Sequence, residues 1–220
     1  MIMEKNTVFK GAIFDMDGVL VDSEKLYLRF WQEACEAYGF SLSYEQALSL
    51  RSNSPEAAKP KFLKWFGEGA DYFAIRELRR KLMAEYIDRN GVALKQDVEQ
   101  VLRVLREKRI KLAVATASPM KRARHYLEPH GIFSLFDAVI SGNDLIRSKP
   151  APDIYIAAAK ELGLSPHECI AVEDSPAGII SAKTAGCFTV MVPDLSPPDE
   201  YIMPSIDYLA VTISDILSLI

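Results

Sequence analysis

The feature that most constrains the fold is an alternation of short apolar runs and amphipathic segments from about residue 98 onward. Strand-like runs begin at Ile110, Ala138, Cys169 and Phe188, and segments with helical spacing lie between them. Alternating units of this kind pair their strands in parallel and cover both faces of the sheet with helices. We therefore predict an α/β fold with a doubly wound parallel sheet.

A separate apolar run, residues 8–14, predicts a first buried strand near the start of the chain. Residues 22–92 differ in character, because they are rich in aromatic and charged residues at helical spacing. We predict a helical insert there, with residues 1–21 and 93–220 forming the core domain. The predicted helices of the insert are 23–38, 44–50, 55–66 and 70–90. Its predicted core is an aromatic stripe made of Phe62, Trp65, Phe66, Tyr72 and Phe73.

Composition excludes several classes of function. The net charge of −4 gives no reason to expect binding to nucleic acid or to an anionic membrane. No apolar stretch is long enough to span a bilayer and the first residues lack the apolar run of a signal peptide, so we expect a cytoplasmic location. The three cysteines show no metal-ligand spacing and are predicted to be reduced core residues. The three histidines fit no zinc pattern.

Asp15-Met16-Asp17-Gly18 stands directly after the first predicted strand. Residues i and i+2 of an extended segment lie on the same side, so the carboxylates of Asp15 and Asp17 can approach one reacting centre. Gly18 would let the chain turn away sharply. One carboxylate can attack while the other moves a proton. An isolated motif of this kind is more often an ordinary turn, so the other strand ends must decide.

Three further polar clusters follow predicted strands: Thr116-Ala117-Ser118, residues 148–153 around Lys149, and Glu173 with Asp174. The carboxyl ends of parallel strands open on one edge of a sheet, so we expect these clusters to converge with Asp15 and Asp17. Each cluster alone has an ordinary explanation, such as a helix cap or a turn. All four clusters together, each at the end of a strand, predict a phosphate and metal site.

The residue types of these clusters suit that chemistry. Asp15 and Asp174 supply hard oxygen donors for Mg²⁺, which keeps waters and a substrate phosphate as its other ligands. Lys149 can hold Asp15 ionised and neutralise phosphoryl oxygens. The Thr116 hydroxyl and the backbone N–H groups that follow it, over Ala117 and Ser118, are expected to donate to the same oxygens.

The four clusters resemble the four signatures of the haloacid dehalogenase superfamily over nearly the full length of the chain. Residues 15–24 and 149–153 look like those of the phosphatases and beta-phosphoglucomutases in the branch with a helical cap after the first motif. The resemblance implies a Rossmann-like core and a mobile cap, hinged near Val21-Asp22 and Val92-Ala93-Leu94.

The resemblance also implies roles for the site residues. Asp15 would attack phosphorus to give an aspartyl-phosphate, and Asp17 would protonate the leaving oxygen and then activate water. Mg²⁺ would be held by Asp15, the Asp17 backbone carbonyl and Asp174, with Glu173 as a further ligand or a residue behind the ligands. Dehalogenases and phosphonate-cleaving members lack the second aspartate, so we expect a phosphomonoesterase acting on a small phosphorylated metabolite, such as a sugar phosphate.

A beta-phosphoglucomutase-like mutase is the nearest alternative. Mutases carry a histidine where this chain has Tyr27, and a Gly-x-x-Arg segment whose arginine aligns with Asn53, or with Arg51 after a small shift. These three positions are therefore the candidates for substrate specificity. A phospho-accepting signalling receiver is a second alternative. It would take its phosphoryl group on a later strand than the acidic pair, whereas the candidate nucleophile here follows the first strand, so the order of the motifs argues against it. A non-catalytic binding module would be expected to have lost Asp15, Asp17 or Lys149.

Overall fold

The structure, a computed structural model, describes residues 9–51, 53–142, 147–195 and 197–220. These residues form two compact units: one holds the described residues up to Asp22 and from Ala93 onward, and the other is Ser23–Val92. In the first unit, the two segments that connect to the second run side by side. The Asp22 N–H donates to the Ala93 carbonyl at 2.8 Å, and Val21 forms an antiparallel bridge with Leu94.

The second unit is helical throughout its described residues, with helices α1 (Ser23–Ala37), α2 (Tyr44–Ser49), α3 (Pro55–Phe66) and α4 (Tyr72–Asn90). Short polar side chains fix three of the four starts by accepting a hydrogen bond from the first turn. The side chains of Ser43, Ser54 and Asp71 do so at α2, α3 and α4.

The core of the helical unit is aromatic. Phe62 and Tyr72 are buried as predicted, and Trp31 of α1 packs against both with ring centroids 5.9 Å away. The prediction is wrong for Phe73, which is 54% exposed and lies beside Lys59. Adjacent residues on a helix point about 100° apart, so burying Tyr72 turns its neighbour outward.

The first unit is built on a sheet of six parallel strands within the described residues. They are β1 (Gly11–Phe14), β2 (Lys111–Thr116), β3 (Ala138–Ser141), β4 (Cys169–Glu173), β5 (Phe188–Met191) and β6 (Tyr208–Leu209). The strand order is β3-β2-β1-β4-β5-β6, and the chain therefore reverses its direction of winding at β1. This is the topological switch point at which doubly wound sheets place their sites. The predicted α/β fold class is confirmed.

Helices α5 (Val98–Glu107), α6 (Met120–Leu127), α7 (Asp153–Glu161) and α8 (Pro176–Ala185) connect the strands. Strands β1 and β4, at the centre of the sheet, are buried at every position, as expected for a sheet that is covered on both sides. Cys35, Cys169 and Cys187 are free and buried, which confirms their prediction as core thiols. Among the described helices, none combines the length and the apolar character needed to cross a membrane.

Near the C-terminal end, residues Tyr208–Leu209 add a sixth strand that the sequence pattern does not predict, and Ile213–Leu219 form a 3₁₀ helix. A two-residue strand carries too short a pattern to be seen in the sequence, since alternation needs about four residues.

Candidate active site

The loop after β1 places the two aspartates at the carboxyl edge of the sheet. The Asp15 N–H donates to the Val172 carbonyl at 2.9 Å, which extends the β1–β4 ladder by one residue. The chain then turns at Gly18, whose φ is +83°. A Cβ there would lie 2.4 Å from Asp174 Oδ2. Gly18 is therefore required both by its backbone conformation and by the close approach of Asp174.

Lys149 joins the carboxyl ends of β1, β2 and β4. Its Nζ donates to Asp15 Oδ1 at 2.5 Å, to Glu173 Oε1 at 2.6 Å and to the Ala115 carbonyl at 3.0 Å. The three N–H donors of the ammonium are thus all used. Its side chain is only 10% exposed, and Glu173 is fully buried. The predicted convergence of Asp15, Lys149 and Glu173 is present in the structure.

Glu173 accepts donors on both carboxylate oxygens. Besides Lys149, the Tyr155 hydroxyl donates to Oε1 at 2.6 Å. Oε2 accepts from the backbone N–H of Asp174 and from the N–H and Oγ of Ser175, at 3.1–3.3 Å. A carboxylate offers about four lone-pair positions, so these donors fill the acceptor capacity of Glu173.

Gly178 makes room for this carboxylate. A Cβ at that position would stand 1.8 Å from Glu173 Oε1, so every larger residue would displace the buried group. Gly178 also donates its N–H to the Ser175 side chain, which caps α8. The start of α8 and the setting of Glu173 therefore depend on one another.

Burial dominates the electrostatics of Asp15. It raises the pKa of the carboxyl to about 8, and the neighbouring Glu173 and Asp17 carboxylates add to the rise while Lys149 opposes it. Burial lowers the pKa of Lys149, but the Asp15 and Glu173 carboxylates outweigh burial and raise it overall. Lys149 thus lowers the pKa of Asp15, which is the direction that the sequence predicts, but burial raises it by more.

The surplus of negative charge fits a divalent cation. Asp15, Glu173 and Asp174 each offer a carboxylate oxygen, and these oxygens lie within 4.8 Å of one another. All three residues are buried and their donors are hard oxygens, as Mg²⁺ requires. Because Glu173 is already saturated by hydrogen bonds, Asp15 and Asp174 are the better carboxylate ligands of the three.

Thr116 and Ser118 form a small turn after β2. The Ser118 N–H donates to Thr116 Oγ1 at 3.0 Å, and the Ser118 hydroxyl donates to Asp17 Oδ2 at 3.0 Å. The backbone donor of Ser118, which is predicted to bind phosphate, is thus engaged within the turn. This bond uses a lone pair of Thr116 Oγ1 and leaves its hydroxyl proton to be donated. Ala117 between them is exposed.

The three predicted specificity residues lie in the helical unit. The Tyr27 hydroxyl donates to the Leu50 carbonyl at 3.3 Å, and Arg51 Nε lies 3.0 Å from Glu24 Oε2. The Asn53 amide donates to the backbone carbonyls of Ser49 and Arg51. The Asn53 side chain therefore stabilises the local backbone turn, whereas the guanidinium of Arg51 is paired with the Glu24 carboxylate.

Sequence reasoning missed several residues that support the site. Tyr155 appears in the sequence as an ordinary apolar position of an amphipathic helix, and only its contact with Glu173 reveals the role of its hydroxyl. Burial, with the Glu173 and Asp15 carboxylates, raises the pKa of Tyr155 well above its usual value, so it remains a proton donor. Arg122, on α6, donates to Ser118 Oγ at 3.3 Å. No sequence signal marks either residue.

Comparisons with known proteins identify the family of this chain. Residues 9–186 match the family of haloacid dehalogenase-like hydrolases. A phosphorylated carbohydrates phosphatase from Thermotoga maritima is 31% identical, over 80% of this chain and 82% of the relative. Hexitol phosphatase A from Escherichia coli is also 31% identical, over 83% of this chain and 82% of the relative.

A solved structure agrees in fold. It is a haloacid dehalogenase family hydrolase from Deinococcus radiodurans, crystallised with bound phosphate and sodium, that superimposes with a TM-score of 0.82 at 22% identity. The alignment covers 97% of this chain and 96% of that one. At this identity the likeness supports the fold alone.

A doubly wound sheet that gathers carboxylates, a lysine and hydroxyl groups at its switch point defines an α/β protein with a site suited to phosphate and a divalent metal. The chain belongs to the haloacid dehalogenase-like hydrolases, because the family match spans most of its length. This confirms the resemblance noted from the four motifs and the prediction of an enzyme. The relatives named as phosphatases are consistent with a phosphoric monoester hydrolase.

Proposed function

We propose that this protein is a Mg²⁺-dependent phosphomonoesterase acting on a small phosphorylated metabolite, such as a sugar phosphate. One observation carries the proposal: the buried Asp15 carboxylate is bonded to Lys149 beside Asp174, with Asp17 two residues away. A nucleophile, a cationic group and a second carboxylate for proton transfer are thus gathered at one strand end.

In the proposed reaction, Asp15 attacks phosphorus while the bond from phosphorus to the ester oxygen breaks, which gives an aspartyl-phosphate. Asp17 supplies its proton to the departing alkoxide and becomes ionised. Asp17 then takes a proton from the attacking water as the bond between Asp15 and phosphorus breaks and inorganic phosphate leaves. The Lys149 ammonium and the Thr116 hydroxyl stabilise the charge on the phosphoryl oxygens.

We propose that Asp15, Asp174 and the Asp17 backbone carbonyl would hold Mg²⁺. The ion, when bound, would neutralise charge on the nucleophile and on the transferring phosphoryl group. The role that we propose for Glu173 is different. Its two saturated oxygens suit it to anchor Lys149, which donates to Asp15 and Glu173 at almost equal distances.

The substrate class rests on the relatives. Proteins named as phosphatases of phosphorylated carbohydrates and of hexitols are 31% identical to this chain over 80% and 83% of its length, respectively. We extend their substrate class, small phosphorylated polyols and sugars, to this protein. The helical unit would supply the alcohol specificity, with Tyr27, Arg51 and Asn53 as the candidate positions.

We also propose that the helical unit is a mobile cap. The two units divide at Asp22/Ser23 and at Val92/Ala93, where inserted domains hinge. Crystal structures with and without a phosphate analogue would test this. Identical cap positions in both would contradict it.

The central experiment is release of phosphate from p-nitrophenyl phosphate and from a panel of sugar and polyol phosphates, with Mg²⁺ or with EDTA. We expect turnover that requires Mg²⁺ and is abolished in Asp15→Asn. Asp17→Asn should slow turnover of the sugar and polyol phosphates by about 100- to 10,000-fold, the usual size of general acid–base catalysis. Failure to release phosphate from any member of the panel would contradict the proposal.

A phosphosugar mutase is the second candidate, because Arg51 stands near the position at which mutases carry an arginine. Its guanidinium is largely buried and is held by Glu24. Conversion of beta-glucose 1-phosphate into glucose 6-phosphate would identify a mutase. Transfer of the same phosphoryl group to water would identify a phosphatase.

A further inference from the structure

Asp17 lies at the end of a hydrogen-bonded chain that starts on helix α6. Arg122 NH1 donates to Ser118 Oγ at 3.3 Å, and Ser118 Oγ lies 3.0 Å from Asp17 Oδ2. Ser118 itself is 6% exposed, and both its backbone N–H and its backbone carbonyl are hydrogen-bonded. Its N–H donates to Thr116 Oγ1 and its carbonyl accepts from Ser141 Oγ, both at 3.0 Å.

The direction of this chain follows from the groups in it. A guanidinium has donors and no acceptor, so Ser118 Oγ must accept from Arg122. The hydroxyl has one proton to donate, and Asp17 Oδ2 is the acceptor in range. This bond fixes the orientation of the Asp17 carboxylate relative to the turn after β2.

We infer that Arg122 and Ser118 are positioning residues that fix the orientation of the Asp17 carboxylate by holding its Oδ2. This inference rests on the proposed phosphatase function and deepens it. Ser118 thereby acts on the acid that protonates the alcohol, in addition to any contact with phosphate. Arg122 acts through Ser118, because its NH1 donates to Ser118 Oγ.

The test compares two substrates with the same phosphoryl group and different leaving groups. A p-nitrophenolate leaves with little help from an acid, whereas an alkoxide from a polyol phosphate needs the Asp17 proton. The quantity to measure is kcat/KM, because it covers the steps up to loss of the alcohol. Hydrolysis of the phospho-enzyme, which both substrates share, does not enter it.

Ser118→Ala should lower kcat/KM for the polyol phosphate about tenfold more than for p-nitrophenyl phosphate, the worth of about one hydrogen bond. Arg122→Ala should shift the same ratio in the same direction by a smaller factor, and Arg122→Lys should restore most of it. The double variant Ser118→Ala/Arg122→Ala should be no worse than Ser118→Ala alone, because one residue acts through the other.

Arg124→Ala is the matched control, because Arg124 lies on the same helix but pairs with the exposed Glu128. It should leave both substrates unchanged. Equal losses on the two substrates in Ser118→Ala would overturn the inference and assign Ser118 to phosphate binding or to folding. Additive losses in the double variant would overturn the coupling of Arg122 through Ser118. A wild-type protein without phosphatase activity would refute the proposed function itself, and the inference with it.

Discussion

Replacing Lys149 by methionine tests how far burial strengthens the central ion pairs. The side chain keeps its length and its apolar stem, but Asp15 and Glu173 each lose a charged donor at 2.5 and 2.6 Å. Hydrogen bonds to charged groups contribute about 1.5–3 kcal/mol each. Two of them amount to about 3–6 kcal/mol, in line with the 3–5 kcal/mol lost when one partner of a buried pair is removed.

The measurement is urea unfolding in EDTA, followed by far-UV circular dichroism. Both tryptophans, Trp31 and Trp65, lie in the helical unit, so fluorescence recorded in parallel reports on that unit. We expect the free energy of unfolding to fall by about 4 kcal/mol at pH 8. The loss should be smaller at pH 6, because the pKa of Asp15, about 8, allows this carboxyl to be protonated there and to need no counter-charge.

Lys10→Met is the control, because Lys10 Nζ also lies 2.6 Å from a glutamate, Glu168. The two lysines differ in burial, with exposed fractions of 62% for Lys10 and 10% for Lys149. A surface ion pair contributes little, so this variant should hardly move the unfolding transition. Equal shifts in the two variants would refute the argument from burial.

Three further results are expected. In EDTA, the free energy of unfolding should fall as pH rises from about 4 to 8, by at most about 5 kcal/mol at 1.36 kcal/mol per pKa unit. The folded state holds a proton on Asp15 that the unfolded chain has lost. Mg²⁺ should therefore stabilise the fold more at pH 8 than at pH 5. A rise in the metal-free free energy of unfolding between pH 4 and pH 8, measured by urea unfolding, would contradict the raised pKa of Asp15. Gly178→Ala should destabilise strongly, since its Cβ would overlap Glu173, and thermal unfolding would detect the loss. Tyr155→Phe should cost about 1.5–3 kcal/mol in urea unfolding, because one donor to a buried carboxylate is lost; an unchanged midpoint would show that the Tyr155 hydroxyl does not support Glu173.

Much of the architecture could be predicted from local pattern. Apolar runs separated by helical segments predict a parallel sheet, and parallel strands bring their carboxyl ends to one edge. Asp15, Lys149 and Glu173 were therefore expected together although they are up to 158 residues apart in the chain, counted from Asp15 to Glu173. The burial of adjacent aromatic residues on one helix is harder to predict. Amphipathic spacing does not decide which of two neighbours faces the core, as the exposure of Phe73 shows.

The sequence by itself determined which chemical groups stand at the strand ends, because side-chain type and position relative to a strand are local properties. Only the tertiary structure decided how these groups share protons and charge. The hydrogen bonds that fill the acceptor positions of Glu173 come in part from Tyr155, at the start of α7, and Ser175, at the start of α8. The raised pKa of Asp15 depends on burial by the whole sheet edge. Hydrogen bonding and desolvation are set by what surrounds a group in space, and that is fixed only when the chain has folded.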